Sequence, residues 1–397
     1  MALNRMGSSH PIYKFALKLK LIANKNTLPQ VPFYIPWRAI TLRGNFKALY
    51  FNFISLIVYQ ANVTDARSSC NSTSKYQDNQ CSKMQPIIIV HGGAGDIPQS
   101  RVKGKLDGVK AAVTAGHECL MSGGSALDAV EAAVVYMEKD ENFNAGYGSV
   151  LNLRGEVAME ASIMRGEDLN AGAVTLIKEF LHPISIAYKV LTDSPHSFLG
   201  GEGAKLFALE KGFKTVPPES LISENAKKAL ENFLKHGDFG RTEIGPQEGG
   251  VGTVGAVAID SKGHVAVATS TGGMSGKAVG RIGDTPQIGS GTYADDNVGG
   301  VSTTGHGESI LKYCLAHSII KLMEGGMDAN KATTDAVNGM TARLLNTAGA
   351  ITLSKDGDVG IHFSSKRMSW AYVKDDQIYY GIEQGETLKE PYCPKNN

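Results

Sequence analysis

The stretch Gly249–Gly273, "GGVGTVGAVAIDSKGHVAVATSTGG", reads as a β-hairpin set in the interior of the chain. Thr253, Gly255, Val257 and Ile259 alternate with Val254, Ala256 and Ala258; Asp260–Gly263 supplies a turn, and Val265–Thr269 returns. Just before it, His236–Gly252 carries six glycines and a proline in seventeen residues, the composition of a flexible linker. A strand of buried character therefore opens with a hydroxyl at the end of a linker. Two readings compete. Threonine is a good strand former and glycines make loops, so no chemistry is required. Alternatively, Thr253 becomes a chain terminus.

The second reading has a definite chemical use. Breaking the Gly252–Thr253 bond gives Thr253 a free α-amine beside its own hydroxyl. That amine has a reference pKa of about 7.7–8.0, so a useful fraction is neutral near neutral pH and can act as general base. One residue then holds nucleophile and base together. Glycine at 252 permits backbone angles that other residues resist, and strain there favours attack of the hydroxyl on the preceding carbonyl.

The chain has 397 residues, enough for a large core in one or two domains. Hydrophobic residues at 42% and charged residues at 20% mark an ordinary globular composition and exclude a disordered one. A count of 46 glycines points to tight loops and close backbone approaches. A net charge of +1 gives no general case for nucleic acid as a partner.

The average hides an asymmetry. Residues 1–64 hold eight Lys/Arg and no Asp or Glu, which leaves 32 basic against 39 acidic residues in 65–397. Residues 1–85 thus read as a basic leader with an addressing role. Within it Ala48–Tyr59 is apolar but only about twelve residues long, too short to span a bilayer and suited to the h-region of a signal or a short anchor. Sequons at Asn62 and Asn71, with Cys70 and Cys81 nearby, fit a secretory route. The apolar run begins late for a signal peptide, however, and an acid-free basic leader also resembles a mitochondrial presequence. Cys119, Cys314 and Cys393 lack metal spacing, so the five cysteines define neither a disulfide framework nor a zinc site.

The folded part starts at Pro86, where Ile87–Val90 reads as a strand running into the glycine turn Gly92–Gly95. Helices are expected at Lys105–Met121, from Ser125 behind a Ser125/Asp128 capping box, and at Pro183–Leu191, Ser223–Leu234 and Glu308–Met323, with another capped by Asp328. "ENFNAGYGSVLNLRGEVAMEASIM" alternates as strand material broken by Gly146 and Gly148, and Gly272–Gly300 reads as a long loop. Strands close the chain at Ala350–Leu353, Val359–Phe363, Met368–Val373 and Gln377–Ile382. Runs of strands and helices in this order argue for an α+β fold with helices layered on antiparallel sheets.

From Pro86 to about Ile382 the chain resembles the isoaspartyl peptidase/L-asparaginase family of N-terminal-nucleophile hydrolases. The resemblance rests on "HGGAG", "FNAGYGSVLN", "MEASIM", "AGAV", "GTVGAVAID", "ATSTGG", "GRIGDTP", "GTYAD" and "STTGHGE", all in order. It implies a four-layer αββα sandwich, formed by one fold whose 86–252 and 253–397 segments are separated by self-cleavage between Gly252 and Thr253. It also implies a dimer of such cleaved heterodimers, and a cytoplasmic location unless the leader directs the chain into the secretory pathway or a mitochondrion. The implied activity is hydrolysis of the side-chain amide of L-asparagine and of β-aspartyl dipeptides, small-molecule substrates.

The resemblance carries roles onto individual residues. Thr253 is the implied nucleophile, and Thr271 the second threonine that orients it. Arg281 would pair bidentately with a substrate α-carboxylate, which suits a planar guanidinium, and Asp284 would take the α-ammonium. Ile282 and Gly283 lie between them. Thr304 and Gly305 match an oxyanion hole, followed by His306 and Gly307 along the substrate pocket, and Asn144 matches a residue of a loop shaping the site. His306 invites a metal or base role but reads more naturally as structural. No catalytic cofactor or metal is implied, apart from a structural sodium held in some relatives by the loop matching Met137–Tyr147.

Other readings stay open at this point. "HGGAG" after a strand could cradle a phosphate, although it lacks the Gly-Lys-Ser/Thr of a P-loop and the dinucleotide spacing. Arg281 and Asp284 alone could be a surface ion pair, and the Thr304 loop a helix cap. Glycosylasparaginases share the Gly-Arg-x-Gly-Asp segment but typically carry Asn where Gly272 stands. The threonine aspartase family departs at the position of Asp284. An inactive binding relative of the same fold is the remaining alternative.

Overall fold

A computed structural model describes residues 85–236 and 252–393. The leader up to residue 84, with its apolar run, sequons, Cys70 and Cys81, lies outside the described residues, as does linker segment 237–251. In chain order the elements are β1 (Ile87–Gly95), α1 (Gln99–Met121), α2 (Ala126–Glu138), β2 (Met159–Arg165), β3 (Ala171–Ile177) and α3 (Pro183–Asp193). Next come β4 (Phe198–Gly200), α4 (Gly201–Glu210), α5 (Glu224–His236), β5 (Val254–Ile259), β6 (Val265–Thr271), β7 (Thr292–Asp295) and β8 (Gly299–Gly305). The remainder is α6 (Gly307–Tyr313), α7 (Leu315–Glu324), α8 (Ala329–Leu344), β9 (Ala348–Ser354), β10 (Val359–Phe363), β11 (Arg367–Lys374), β12 (Gln377–Glu383) and β13 (Leu388–Pro391).

β1 shows how the layers arise. Its run of apolar residues buries both faces: Ile88 and Val90 join one core cluster, Ile87 and Ile89 another. The strand sits centrally in a nine-stranded sheet of order β13-β12-β11-β1-β5-β6-β2-β3-β4, in which the β3–β4 pair is parallel. β7–β10 form a second sheet of order β10-β9-β8-β7. The first cluster lies between the large sheet and α1, α2 and α3, through Val109, Val113, Val130, Val134 and Ile184. In the second, Val257, Val265 and Val267 of the large sheet meet Ile351, Leu353 and Phe363 of the small one. A third packs α7 and α8 on the small sheet through Ile319, Val337, Met340 and Ala350. The result is the four-layer αββα sandwich.

Several local expectations are met closely. The Ser125 side chain accepts from the Asp128 amide and the Asp128 carboxylate accepts from the Ser125 amide, completing the capping box. The Asp128-to-Tyr188 bond then ties α2 to α3. Elsewhere tertiary context overrides pattern. α1 starts at Gln99, a turn and a half before the expected Lys105. The expected Glu308–Met323 helix is broken at Cys314, which adopts φ 50°, so α6 and α7 change direction there. Only Met159 onward in the 141–164 stretch is strand; the preceding part is loop and a short 3-10 turn at Gly146–Gly148. The 272–300 segment contains β7, and among the described residues no helix is long and apolar enough to cross a membrane.

The two sheets approach closely at Gly300. A β-carbon there would sit 2.7 Å from Val267, 2.8 Å from Val257 and 2.9 Å from Val265. The sheets can nest only because this position has no side chain. Gly300→Ala should therefore lower stability by about 1–3 kcal/mol through overpacking alone. The readout is the thermal midpoint; an unchanged midpoint would mean the layers part freely at this point.

Candidate active site

Thr253 precedes the first residue of β5, and its hydroxyl donates to the Thr271 hydroxyl at 3.2 Å. The pairing of Val254 with Ser270 puts the two threonines at the same open end of the hairpin. Both are buried. The Thr271 oxygen also accepts from the Gly273 amide at 3.0 Å, which fixes its lone pairs. Gly252 is wedged against the β1 turn: a β-carbon on it would lie 2.7 Å from the Ala94 backbone and from the Thr304 hydroxyl. On the other side Gly93, at φ +102°, has its would-be β-carbon 2.4 Å from the Gly252 carbonyl oxygen. Only glycine fits either place.

The facing side of the site is built from the small sheet. Thr304 near the end of β8 accepts from the Ala94 amide at 3.1 Å and so is tied to the same β1 turn. Gly305 follows at φ +129°, a conformation that favours glycine. His306 caps α6 and turns its Nδ1 to the Ser309 hydroxyl at 2.7 Å, consistent with a structural place; burial depresses its pKa. Asn144 is fully buried and staples the far lip: its Nδ2 donates to the Gly273 carbonyl at 2.7 Å, its Oδ1 accepts from Val150, and its carbonyl accepts from Gly272.

Arg281, Gly283 and Asp284 lie together beside Gly307, while Ile282 is partly exposed. Arg281 makes a two-pronged pair with Glu308, Nε at 2.8 Å and Nη2 at 3.0 Å. β-Carbons on Gly273, Gly283 or Gly307 would crowd the guanidinium at 3.1, 2.7 and 2.5 Å, so glycines form the slot it occupies. Burial opposes its charge, but Glu308, Glu160 and Asp284 together hold its pKa above the ordinary value. Asp284 is buried and accepts a long bond from Thr303. Burial pushes its pKa up to about 7, with the Arg281 charge pulling the other way.

Several contributors escaped the sequence reading because their partners are remote in the chain. Glu160, opposite Thr271 on β2, accepts from the Gly283 amide with both oxygens. Lys105 is buried on α1 and donates to the Gly92 carbonyl at 2.5 Å. Lys277 donates to the carbonyls of Ala158 and Gly272 at 2.6 and 2.8 Å. His91 is buried under the β1 turn, and burial drops its pKa to about 3 although the Thr253 backbone pulls it up. His91, Glu160 and Glu308 sit inside quoted motifs, but nothing in their spacing says what they touch. Among the described residues, no cluster of His, Cys, Asp and Glu could hold a metal ion.

The sequence profile of the family described as Asparaginase matches residues 84–382. A probable isoaspartyl peptidase/L-asparaginase of Drosophila pseudoobscura pseudoobscura is 49% identical over 321 residues, covering 77% of this chain and 99% of that protein. The isoaspartyl peptidase/L-asparaginase of Xenopus laevis is 48% identical, covering 78% of this chain and 98% of its own. The human protein of the same description is 46% identical, over 77% and 98%.

The raised pKa of Asp284 has a stability consequence of fixed sign. A carboxyl held near 7 when folded and at about 3.9 when unfolded penalises the fold as pH climbs between those values, and by a constant amount above them. Asp284→Asn removes that penalty. Its melting temperature should gain on the parent's between about pH 5 and about pH 7.5. A parallel pair of curves would contradict a buried, reluctant carboxylate.

Proposed function

The chain belongs to the asparaginase family, and we propose that it hydrolyses L-asparagine and β-aspartyl dipeptides with Thr253 as nucleophile after cleaving itself before that residue. The observation that carries this reading is the Thr253 hydroxyl bonded to Thr271 while the adjacent Gly252 carbonyl is pressed on Gly93. In the first reaction the Thr253 oxygen attacks the Gly252 carbonyl and the peptide nitrogen leaves with a proton. Water then cleaves the resulting ester. This frees the α-amine of Thr253 and the carboxyl of Gly252.

In the second reaction the neutral α-amine takes the proton of the hydroxyl as it adds to the substrate's side-chain carbonyl. Charge growing on that oxygen falls to the Thr304 hydroxyl and the Gly305 amide. Collapse of the tetrahedral adduct expels ammonia, or the amino group of the second residue of a dipeptide. Water then releases aspartate from the ester and restores the hydroxyl. Arg281 holds the α-carboxylate on its end edge, because Glu308 already occupies the Nε and Nη2 edge. Asp284, as the anion, holds the α-ammonium. Asn144 acts through the Gly272–Gly273 loop and keeps the pocket's lip in place.

Denaturing electrophoresis with N-terminal sequencing should find a fragment beginning Thr-Val-Gly at residue 253. Thr253→Ala should stay full length and inactive, since it removes the attacking oxygen from both reactions. An intact parent chain with full activity would sink the mechanism.

Specificity follows from the α-groups. L-Asparagine and a β-aspartyl dipeptide both present a free α-carboxylate and α-ammonium, whereas an α-aspartyl dipeptide has spent its α-carboxyl in the peptide bond. The end edge of the guanidinium would meet a neutral amide in place of a carboxylate, a loss of roughly 3 kcal/mol, so rejection by about a hundredfold or more is expected. Competing rates on the two dipeptides decide it. Equal hydrolysis would refute the assignment of Arg281.

A further inference from the structure

One tier below the threonines of the site lies a row of buried polar side chains that the proposed reaction does not use. His91, Gly255, Thr269 and Ser162 are directly paired across β1, β5, β6 and β2. Facing them on the small sheet, Ser302 pairs with Thr292 across β8 and β7. Their side chains form one continuous chain between the sheets. His91 Nε2 lies 2.9 Å from the Ser302 hydroxyl, and Ser302 lies 2.8 Å from that of Thr269. Thr269 lies 2.6 Å from Thr292, Thr292 lies 2.7 Å from Ser162, and Ser162 donates to the Thr285 carbonyl at 2.6 Å. Each of the five side chains is inaccessible to solvent.

Strand geometry says what the row stands under. Thr269 is two residues before Thr271, Gly255 two after Thr253, and Ser302 two before Thr304, so each shares a sheet face with a residue of the site. The His91 ring also lies beside the Thr253 backbone, and the far end of the row reaches Thr285, next to Asp284. Gly255 makes room: a β-carbon there would lie 2.0 Å from the Ser302 oxygen and 2.6 Å from His91 Nε2. Burying five polar side chains between two sheets whose shared core is largely apolar is a poor way to gain stability. Directional bonds fix distance and orientation where apolar contacts would let the layers slide.

We propose that His91, Ser302 and Thr269 are positioning residues: the row sets the nucleophile's depth and angle relative to the oxyanion donors and Asp284 across the two sheets. This rests on the hydrolytic role assigned above. Thr269 stands on the large sheet, its hydroxyl bonds to two strands of the small one, and it accepts a shape-preserving test. Thr269→Val keeps the volume and deletes the hydroxyl; Thr269→Ser keeps the hydroxyl and deletes a buried methyl.

In the self-cleaved enzyme, Thr269→Val should lower kcat on L-asparagine about tenfold with KM changed less than about twofold, the mark of an effect confined to the transition state. Thr269→Ser should keep kcat near the parent's even where its melting temperature falls. Ser302→Ala should repeat the kcat loss, and adding it to Thr269→Val should cost little more, because both break one chain. Should Thr269→Val fail to mature, Ser302→Ala supplies the kcat comparison. A kcat in these variants within about twofold of the parent's would overturn the proposal. So would losses that follow melting temperature through Thr269→Ser. The parent is assayed alongside: a silent parent counts against the hydrolytic reading, while an active parent with unimpaired variants counts against the row alone.

Discussion

Everything in the site depends on one close approach: the Gly252 carbonyl against Gly93, with no room for a β-carbon on either residue. The approach is possible because β1 breaks register with β11 between His91 and Ala94, a bulge formed by the two glycines. The bulge brings the Ala94 amide to Thr304 and leaves the Gly92 carbonyl facing Lys105. Three layers of the sandwich thus meet at one distortion in the central strand. A regular strand there would pair more evenly and would hold nothing in place at residue 252.

A second constraint is electrostatic. Arg281 is surrounded by Glu160, Asp284 and Glu308, so one guanidinium answers to three carboxyls. The local excess of acid is tolerable because the three are kept apart in kind. Glu308 is held below the usual carboxylate range by its two-pronged bond, against the opposing effect of burial. Glu160 is satisfied by backbone, and Asp284 is poised near neutrality by burial. Under the proposed function a zwitterionic substrate would suit such a site: its carboxylate would add to the guanidinium, and its ammonium would settle the carboxyl that is least comfortable alone.

The sequence made the layers and the hairpin legible because two-residue alternation and capping are local properties. Ser125 and Asp128 announce their helix end, and the β5–β6 pair follows from its alternation and turn. What stayed illegible is long-range. Glu308 meets Arg281 across 27 positions and His91 meets Ser302 across 211. The Gly92–Gly93 bulge looked like an ordinary turn, and Cys314 gave no warning of a left-handed residue that splits one helix in two. Hydroxyls such as Thr269 and Ser302 resemble plain strand formers until their partners from the other sheet are in view.

The strand order has a consequence for how the molecule can be made. β1, from the segment before residue 252, lies between β11 and β5, both from the segment after it. Each segment therefore supplies an interior plank of the other's sheet. While the chain is continuous, a 252–253 tether keeps the partners at high effective concentration. Were that bond cut, as proposed, separating the pieces would mean stripping a central strand from both neighbours, and rebuilding them would become a bimolecular event. Under the proposed self-cleavage, assembly would have to come before scission, and scission would make it a one-way step: the cut protein would persist through the slowness of its undoing, having lost the path by which it first folded.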